Sequence, residues 1–275
     1  MEAILKYPRT PHLEGSRLQE GDDASSQVPY SHLQGKHIVV EEKMDGANSG
    51  IRINDPEQGP LLQSRGHYLV GGGREKHFNL LKAWAAYRNE VLFDILGTQR
   101  LMYGEWCHAK HTVFYDRLPH YFLEFDILDT GTGEFLSTER RRELIGDAPV
   151  VQVPVLYEGI APKRLKDLLA MIKPSLAKSD NWLASLRTVA EQQGLNAERA
   201  VAETEGSNLA EGLYIKVEEH GVVTERYKWV RRDFLQTLMD SDSHWLSRPI
   251  IPNQLAPGAD LYGDALTPWD VCRTS

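Results

Sequence analysis

Four things are scarce in this 275-residue sequence: cysteine, long apolar runs, repeats and positive charge. Each scarcity removes a class of protein. Two thiols, Cys107 and Cys272, cannot build a disulfide framework and fit a reducing compartment. No stretch of 18 apolar residues occurs, so no membrane span is expected. Residues 1–6 lack the apolar core of a signal peptide, and a cytoplasmic location is expected. No internal repeat or low-complexity tract is visible. Lys and Arg number 31 against 39 Asp and Glu, for a formal net charge of −8. That balance excludes attachment to nucleic acid by bulk basic charge, yet it permits an enzyme whose positive charge is confined to one groove. The rest is ordinary for a folded chain, with 41% hydrophobic and 25% charged residues.

Local patterning predicts an α+β chain whose sheets are mostly antiparallel. Residues 1–35, punctuated by Pro8, Pro11, Gly15, Gly21 and Pro29, read as loop. Strands are expected over 37–42, 50–54, 61–65, 101–107, 120–128 and 150–157. The spacing of Phe78, Leu81, Trp84, Ala85, Val91, Leu92 and Ile95 predicts one helix over 75–96, stopped by Gly97. Residues 160–205 form a predicted helical insertion. Segments 213–218 and 222–230 flank His220-Gly221 as a hairpin. Residues 236–275 read as an irregular tail packed on the body.

The chemistry concentrates at strand ends. Strand 37–42 ends in Glu41-Glu42 and delivers Lys43, and Asp45-Gly46 then turns the chain toward Asn48. A lysine at a strand end can face a pocket, where burial or nearby cations would lower its pKa enough for nucleophilic attack. Further along come Ser64-Arg65, Gly104-Glu105-Trp106, Phe125-Asp126, Glu211-Gly212 followed by Lys216, and Arg226-Tyr227-Lys228. This ordered set, over roughly residues 36–232, resembles the covalent nucleotidyltransferase superfamily of ligases and capping enzymes. It is most similar to ATP-dependent RNA ligases of the RNA ligase 2 type. Asn48 stands where DNA ligases and capping enzymes usually carry Arg, Glu42 directly precedes the lysine, and Phe125-Asp126 matches the aromatic-Asp motif.

The resemblance implies a fold, a reaction and a set of roles. The fold would be an adenylyltransferase domain over 1–235, of the ATP-grasp-like ligase catalytic type, with flanking helices and the insertion. Lys43 would attack the α-phosphorus of ATP and carry AMP. Phe125 would stack on adenine, with the Glu42 backbone at the purine edge. Arg65 and Glu105 would orient ribose and phosphate. Glu211, with Glu105 and Asp126, would serve Mg²⁺ or Mn²⁺. Lys228, with Arg226 or Lys216, would neutralise phosphate and depress the pKa of Lys43. Asn48 would orient the leaving AMP or a strand end. AMP would pass to a 5′-phosphate, and a 3′-hydroxyl would then displace it.

The implied partners are RNA ends, among them those of a nicked duplex, and an end-healing kinase or phosphatase. The implied setting is RNA repair by a monomer. Arg226 departs from the lysine common at that position. The 45 residues after Val230 cannot hold an OB-fold module. That disfavours the two rivals within the superfamily, a DNA ligase and a guanylyltransferase. A non-catalytic nucleotide- or RNA-binding protein, the rival from another class, would have no use for the nucleophile. Three other motifs have simpler readings. Cys107-His108 and His111 lack a second ligand pair for zinc. Gly71-Gly72-Gly73 lacks the Lys-Ser/Thr of a P-loop and reads as a loop beside the active site. Arg140, Arg141 and Arg142 read as a charged helix start after Ser137-Thr138.

Overall fold

The computed structural model describes residues 3–18, 27–234, 249–270 and 272. Among the described residues, nine strands form two sheets. One has the order β7 (Val155–Ile160), β1 (His37–Glu42), β8 (Gly212–Glu219), β9 (Val222–Val230). The other runs β3 (Leu61–Ser64), β2 (Ala47–Arg52), β4 (Arg100–Trp106), β5 (Phe122–Asp129), β6 (Val151–Gln152). Every pairing is antiparallel except β5 with β6. The α+β expectation holds.

Period-two alternation sorts each strand of the first sheet. Ile38 and Val40 of β1, Leu213, Ile215 and Val217 of β8, and Tyr227 and Trp229 of β9 share one core with Leu33 and Leu168. Their alternates, Glu41, Lys43, Tyr214, Lys216, Arg226 and Lys228, are thereby turned toward the second sheet. The far side of that sheet is covered by α1 (Asn79–Tyr87) and α2 (Asn89–Leu96) through Leu81, Trp84, Leu92 and Ile95. The cleft between the sheets thus collects the polar half of each strand.

The turns follow their local chemistry. The β8–β9 hairpin closes through His220 (φ 52°) and Gly221 (φ 79°), the two left-handed residues of a type I′ turn. Helix α3 (Thr138–Ile145) starts where Ser137 accepts a hydrogen bond from the Arg140 amide. The insertion forms α4 (Leu165–Leu169), α5 (Trp182–Gln192) and α6 (Ala197–Ala202), with α5 and α6 sharing a small core around Phe114.

Two expectations need correction. The predicted helix over 75–96 is a 3₁₀ turn (Gly73–Phe78) followed by α1 and α2, broken at Arg88. Arg88 is buried and donates to the carbonyls of Tyr262 (2.6 Å) and Gly263 (2.5 Å), so a distant segment fixes the break. The predicted strand over 150–157 is two strands in two different sheets. Pro154 separates them, since it has no N–H for a ladder, and its carbonyl accepts from Glu42 N at 3.0 Å. Of the expected tail, residues 236–248, 271 and 273–275 lie outside the described residues. Residues 251–256 lie along 108–118, tied by Lys110 N to Ile251 O and Asn253 N to His108 O, both 2.8 Å. Among the described residues no helix is long and apolar enough to cross a membrane.

Candidate active site

Lys43 leaves the end of β1 with its amide donating to Gly212 O at 3.1 Å. That bond sets the lysine beside the residue preceding Gly212, and Lys43 Nζ lies 2.7 Å from Glu211 Oε1. Glycine at 212 is a steric requirement, because a Cβ there would overlap the Trp229 carbonyl. Gly46 is similar: a Cβ would come within 2.7 Å of Trp106 O, and its amide instead donates to Glu105 Oε1 at 3.1 Å. Asn48 pairs with Glu105 across β2 and β4, which puts both side chains on one face. Asp45 Oδ2 accepts from the amides of Thr112 and Val113, each at 2.7 Å, and so draws the loop after β4 toward the lysine.

The electrostatics of this cluster are unbalanced. Burial, reinforced by Asp45 and Glu211, pushes Glu105 up to about 8, although Lys43 opposes it. Burial pushes Glu211 up to about 7 in the same way, against the pull of Lys43 and Lys228. For Lys43 itself burial favours the neutral amine, but Glu211, Asp45 and Glu105 outweigh it and raise the pKa. The expected depression by neighbouring cations is therefore reversed in this state. Two of the three cations assigned to that task, Lys216 and Arg226, are engaged elsewhere.

Their partner is Asp126. Arg226 Nε lies 3.0 Å from Asp126 Oδ2 and Lys216 Nζ lies 3.4 Å from Oδ1. Lys216 also pairs with Glu41 at 2.9 Å and donates to the Phe125 carbonyl. Arg141 holds Glu41 at 3.0 Å and both oxygens of Glu124 at 2.8 and 2.9 Å. Three carboxylates thus meet three cations. Glu41, Lys216 and Arg226 belong to one sheet, Glu124 and Asp126 to the other, and the network joins the two. Burial would raise Asp126, but Lys216, Arg226 and Arg141 hold it below the usual carboxylate range. Arg141, read from sequence as part of a charged helix start, is 1% exposed and central to this network.

Phe125 sits at a bulge, since Tyr103 pairs with Asp126 and Gly104 with Glu124, leaving it unopposed and half-buried in the cleft wall. Arg65 is exposed in the turn after β3. Glu42 is 3% exposed and accepts from Leu176 N at 3.3 Å, which anchors the insertion beside Lys43. The structure therefore gathers Lys43, Glu105, Glu211, Asn48 and the charge of Lys228, and places Lys216, Arg226 and Asp126 in a second cluster. Sequence reasoning saw in the loop 108–113 only a zinc motif without a second ligand pair, and it gave no place to Tyr7. Tyr7 donates to Asp126 Oδ2 at 2.5 Å. The one local cue was an aromatic residue between Lys6 and Pro8 in a stretch read as loop.

The donor set suits a hard cation that keeps most of its ligands as water and phosphate. Glu211 Oε2 is buried without a hydrogen-bond partner, and the Glu211 charge helps raise Glu105. Among the described residues no three His, Cys, Asp or Glu side chains gather as a self-sufficient metal site.

The profile of the RNA ligase family matches residues 36–230, more than half of the chain. No curated protein sequence matches it. Three solved structures of the Naegleria gruberi RNA ligase are similar. A lysine-to-alanine variant with ATP and Mn is 16% identical at TM-score 0.47, covering 83% of this chain and 61% of that one. A glutamate-to-alanine variant with ATP and Mn is 18% identical at 0.46, covering 74% and 52%. An apo aspartate-to-alanine variant is 17% identical at 0.46, covering 73% and 50%. The chain spans about half the length of the solved relatives it matches.

Proposed function

The chain belongs to the RNA ligase family, and on that premise we propose that it seals 5′-phosphate and 3′-hydroxyl ends of RNA, with ATP and Mg²⁺ or Mn²⁺, in RNA repair. The observation that carries this reading is one amine, Lys43 Nζ, 2.7 Å from a buried carboxylate at the mouth of a cleft between two sheets. What sets it apart from the buried, ion-paired Lys216 is that its carboxylate neighbours outnumber the lysines and one oxygen of Glu211 has no hydrogen-bond partner. In the first step the Lys43 nitrogen bonds to the α-phosphorus, the bond to the β-phosphate oxygen breaks, and pyrophosphate leaves. The amine must first lose a proton, and Glu211 Oε1, 2.7 Å away, is placed to accept it and release it to solvent before the carboxylate serves the cation. Bound at Glu211 and Glu105, the divalent cation would neutralise charge on the phosphates. Phe125 offers a π-face to the base, and Arg65, exposed at the turn, offers a planar fork to phosphate or ribose. Lys228 adds positive charge next to Glu211. Asn48, sharing a face with Glu105, orients the group that leaves in the later steps. AMP then moves to a 5′-phosphate, and a 3′-hydroxyl displaces it. Both transfers are in-line displacements governed by positioning and charge.

The test is label transfer. The protein is incubated with α-labelled ATP or GTP and a divalent cation, then denatured. Label from ATP on the wild type, absent in Lys43→Ala, supports the reading, and sealing of nicked RNA over nicked DNA would fix the substrate. Label from GTP alone would redirect it to capping. No label from either nucleotide would overturn it.

A further inference from the structure

The segment before β1 was read as loop, yet it is bonded to both sheets. At one end the Tyr68 hydroxyl donates to Ala3 O (3.3 Å), and Gln63 and Tyr103 donate to Leu5 O (2.7 and 2.8 Å), all from the five-stranded sheet or the turn after β3. At the other end Leu13 N donates to Lys228 O and Lys228 N to Pro11 O, both at 3.0 Å, on the four-stranded sheet. The segment is a strap across the cleft. Its sequence suits that course. Tyr7 and Thr10 each precede a proline, which drives both residues to extended backbone and keeps the segment from coiling.

Midway, Tyr7 projects into the cleft. Its hydroxyl donates to Asp126 and lies 2.8 Å from the Tyr214 hydroxyl, which also lies 2.8 Å from Thr10 Oγ1. Its ring stands edge-on to Phe125, with centroids 5.1 Å apart at 78°. Tyr103 and Phe135 meet the same ring at 5.0 and 5.8 Å. Phe125 needs such support. A bulged residue has no cross-strand neighbour to fix its side chain, and Phe125 is half-buried.

We infer that Tyr7 is a positioning residue for base recognition: it holds the Phe125 ring and, through its hydroxyl, the Tyr214 side of the same pocket. This rests on the reading that Phe125 stacks on the base of ATP. The hydroxyl pair would also fix the width of the base end, so that ATP is favoured over nucleotides with a differently substituted purine. The strap's second contact, on the backbone of Lys228, links the same segment to phosphate neutralisation.

The experiment measures ATP KM and kcat for label transfer, the ATP-to-GTP ratio of kcat/KM, and Tm, in Tyr7→Ala, Tyr7→Phe and Phe125→Ala. Tyr7→Ala is expected to raise ATP KM about 10-fold with kcat changed less than about 3-fold, and to narrow the ATP-to-GTP ratio. Tyr7→Phe keeps the ring and should leave KM within about 3-fold while still narrowing the ratio. If Phe125→Ala raises KM and neither Tyr7 variant moves KM or the ratio, the inference about Tyr7 falls and the stacking reading stands. If Phe125→Ala itself leaves KM unchanged, the stacking reading falls and takes the inference with it. If Tyr7→Ala fails to fold and Tyr7→Phe matches the wild type in KM and in nucleotide ratio, Tyr7 is structural and the inference is overturned.

Discussion

Two charge clusters share one cleft, and they differ in balance. Around Glu41, Glu124 and Asp126, three cations answer three carboxylates and almost nothing is exposed, although Asp126 Oδ1, Arg141 Nε and Arg226 Nη2 have no hydrogen-bond partner. Around Lys43, the carboxylates of Asp45, Glu105 and Glu211 outnumber the lysines, two of them are pushed toward neutral pH by burial, and one oxygen of Glu211 has no hydrogen-bond partner. A charge-balanced network holds sheets together, whereas a cluster with excess carboxylate is poised for something that brings compensating charge. Proximity to the cleft alone would not have separated the two.

The sharpest way to break the comparison is Lys43→Ala. Label transfer should fall by at least ~10³-fold with only a small change in melting temperature, because Glu211, already raised to about 7, can take up a proton when its partner is lost. Retained transfer would move the nucleophile elsewhere. Next is Glu211→Gln, expected to lower label transfer ~10²-fold. Its melting temperature should hold or rise, since a carboxylate raised to about 7 by burial is a cost to the folded state. A large loss of stability would place Glu211 among the structural residues.

The balanced cluster should respond in the opposite sense. Lys216→Met leaves Asp126 and Glu41 short of a buried cation and should cost ~3–5 kcal/mol. For a chain of this size that is a fall in Tm of roughly 10 °C. ATP KM measured on the folded fraction should change little. A selective rise in KM with unchanged Tm would return Lys216 to the nucleotide site.

The smallest effect concerns Lys178, buried beside Trp182 and pushed down to about 8, chiefly by burial. Below pH 8 the folded state carries the full penalty of that charge. Between about 8 and the unfolded value near 10.4, the unfolded chain binds more protons, so stability rises with pH. Lys178→Met should lose this rise in urea titrations across that window. Parallel curves would show that the wild-type lysine titrates normally.

The sequence legibly marked the strands that carry Lys43, Glu105, Phe125, Glu211 and Lys228, because period-two alternation and motif order are local properties of the chain. It also marked Gly46 and Gly212 through their motifs, and the hairpin through His220-Gly221. It could not divide the charged residues. Glu41, Arg141, Lys216 and Arg226 are as polar in sequence as Lys43 and Glu211, and only the register of β1 with β8 and of β4 with β5 decides which charges meet.

The other misses have the same origin. Helix 75–96 is broken because Arg88 finds carbonyls 174 and 175 residues away, and Pro154 marks a change of sheet only once β6 and β7 have separate partners. Tyr7 lay in apparent loop, since a strap makes its hydrogen bonds to other segments and has no periodicity of its own. The scarcity of positive charge was likewise a sequence fact whose meaning the fold supplied. Composition and motifs determined that this chain could carry a lysine nucleophile on an α+β frame. The tertiary structure decided where the few cations are spent, because pairing energy depends on burial and distance, and neither is written in the order of residues.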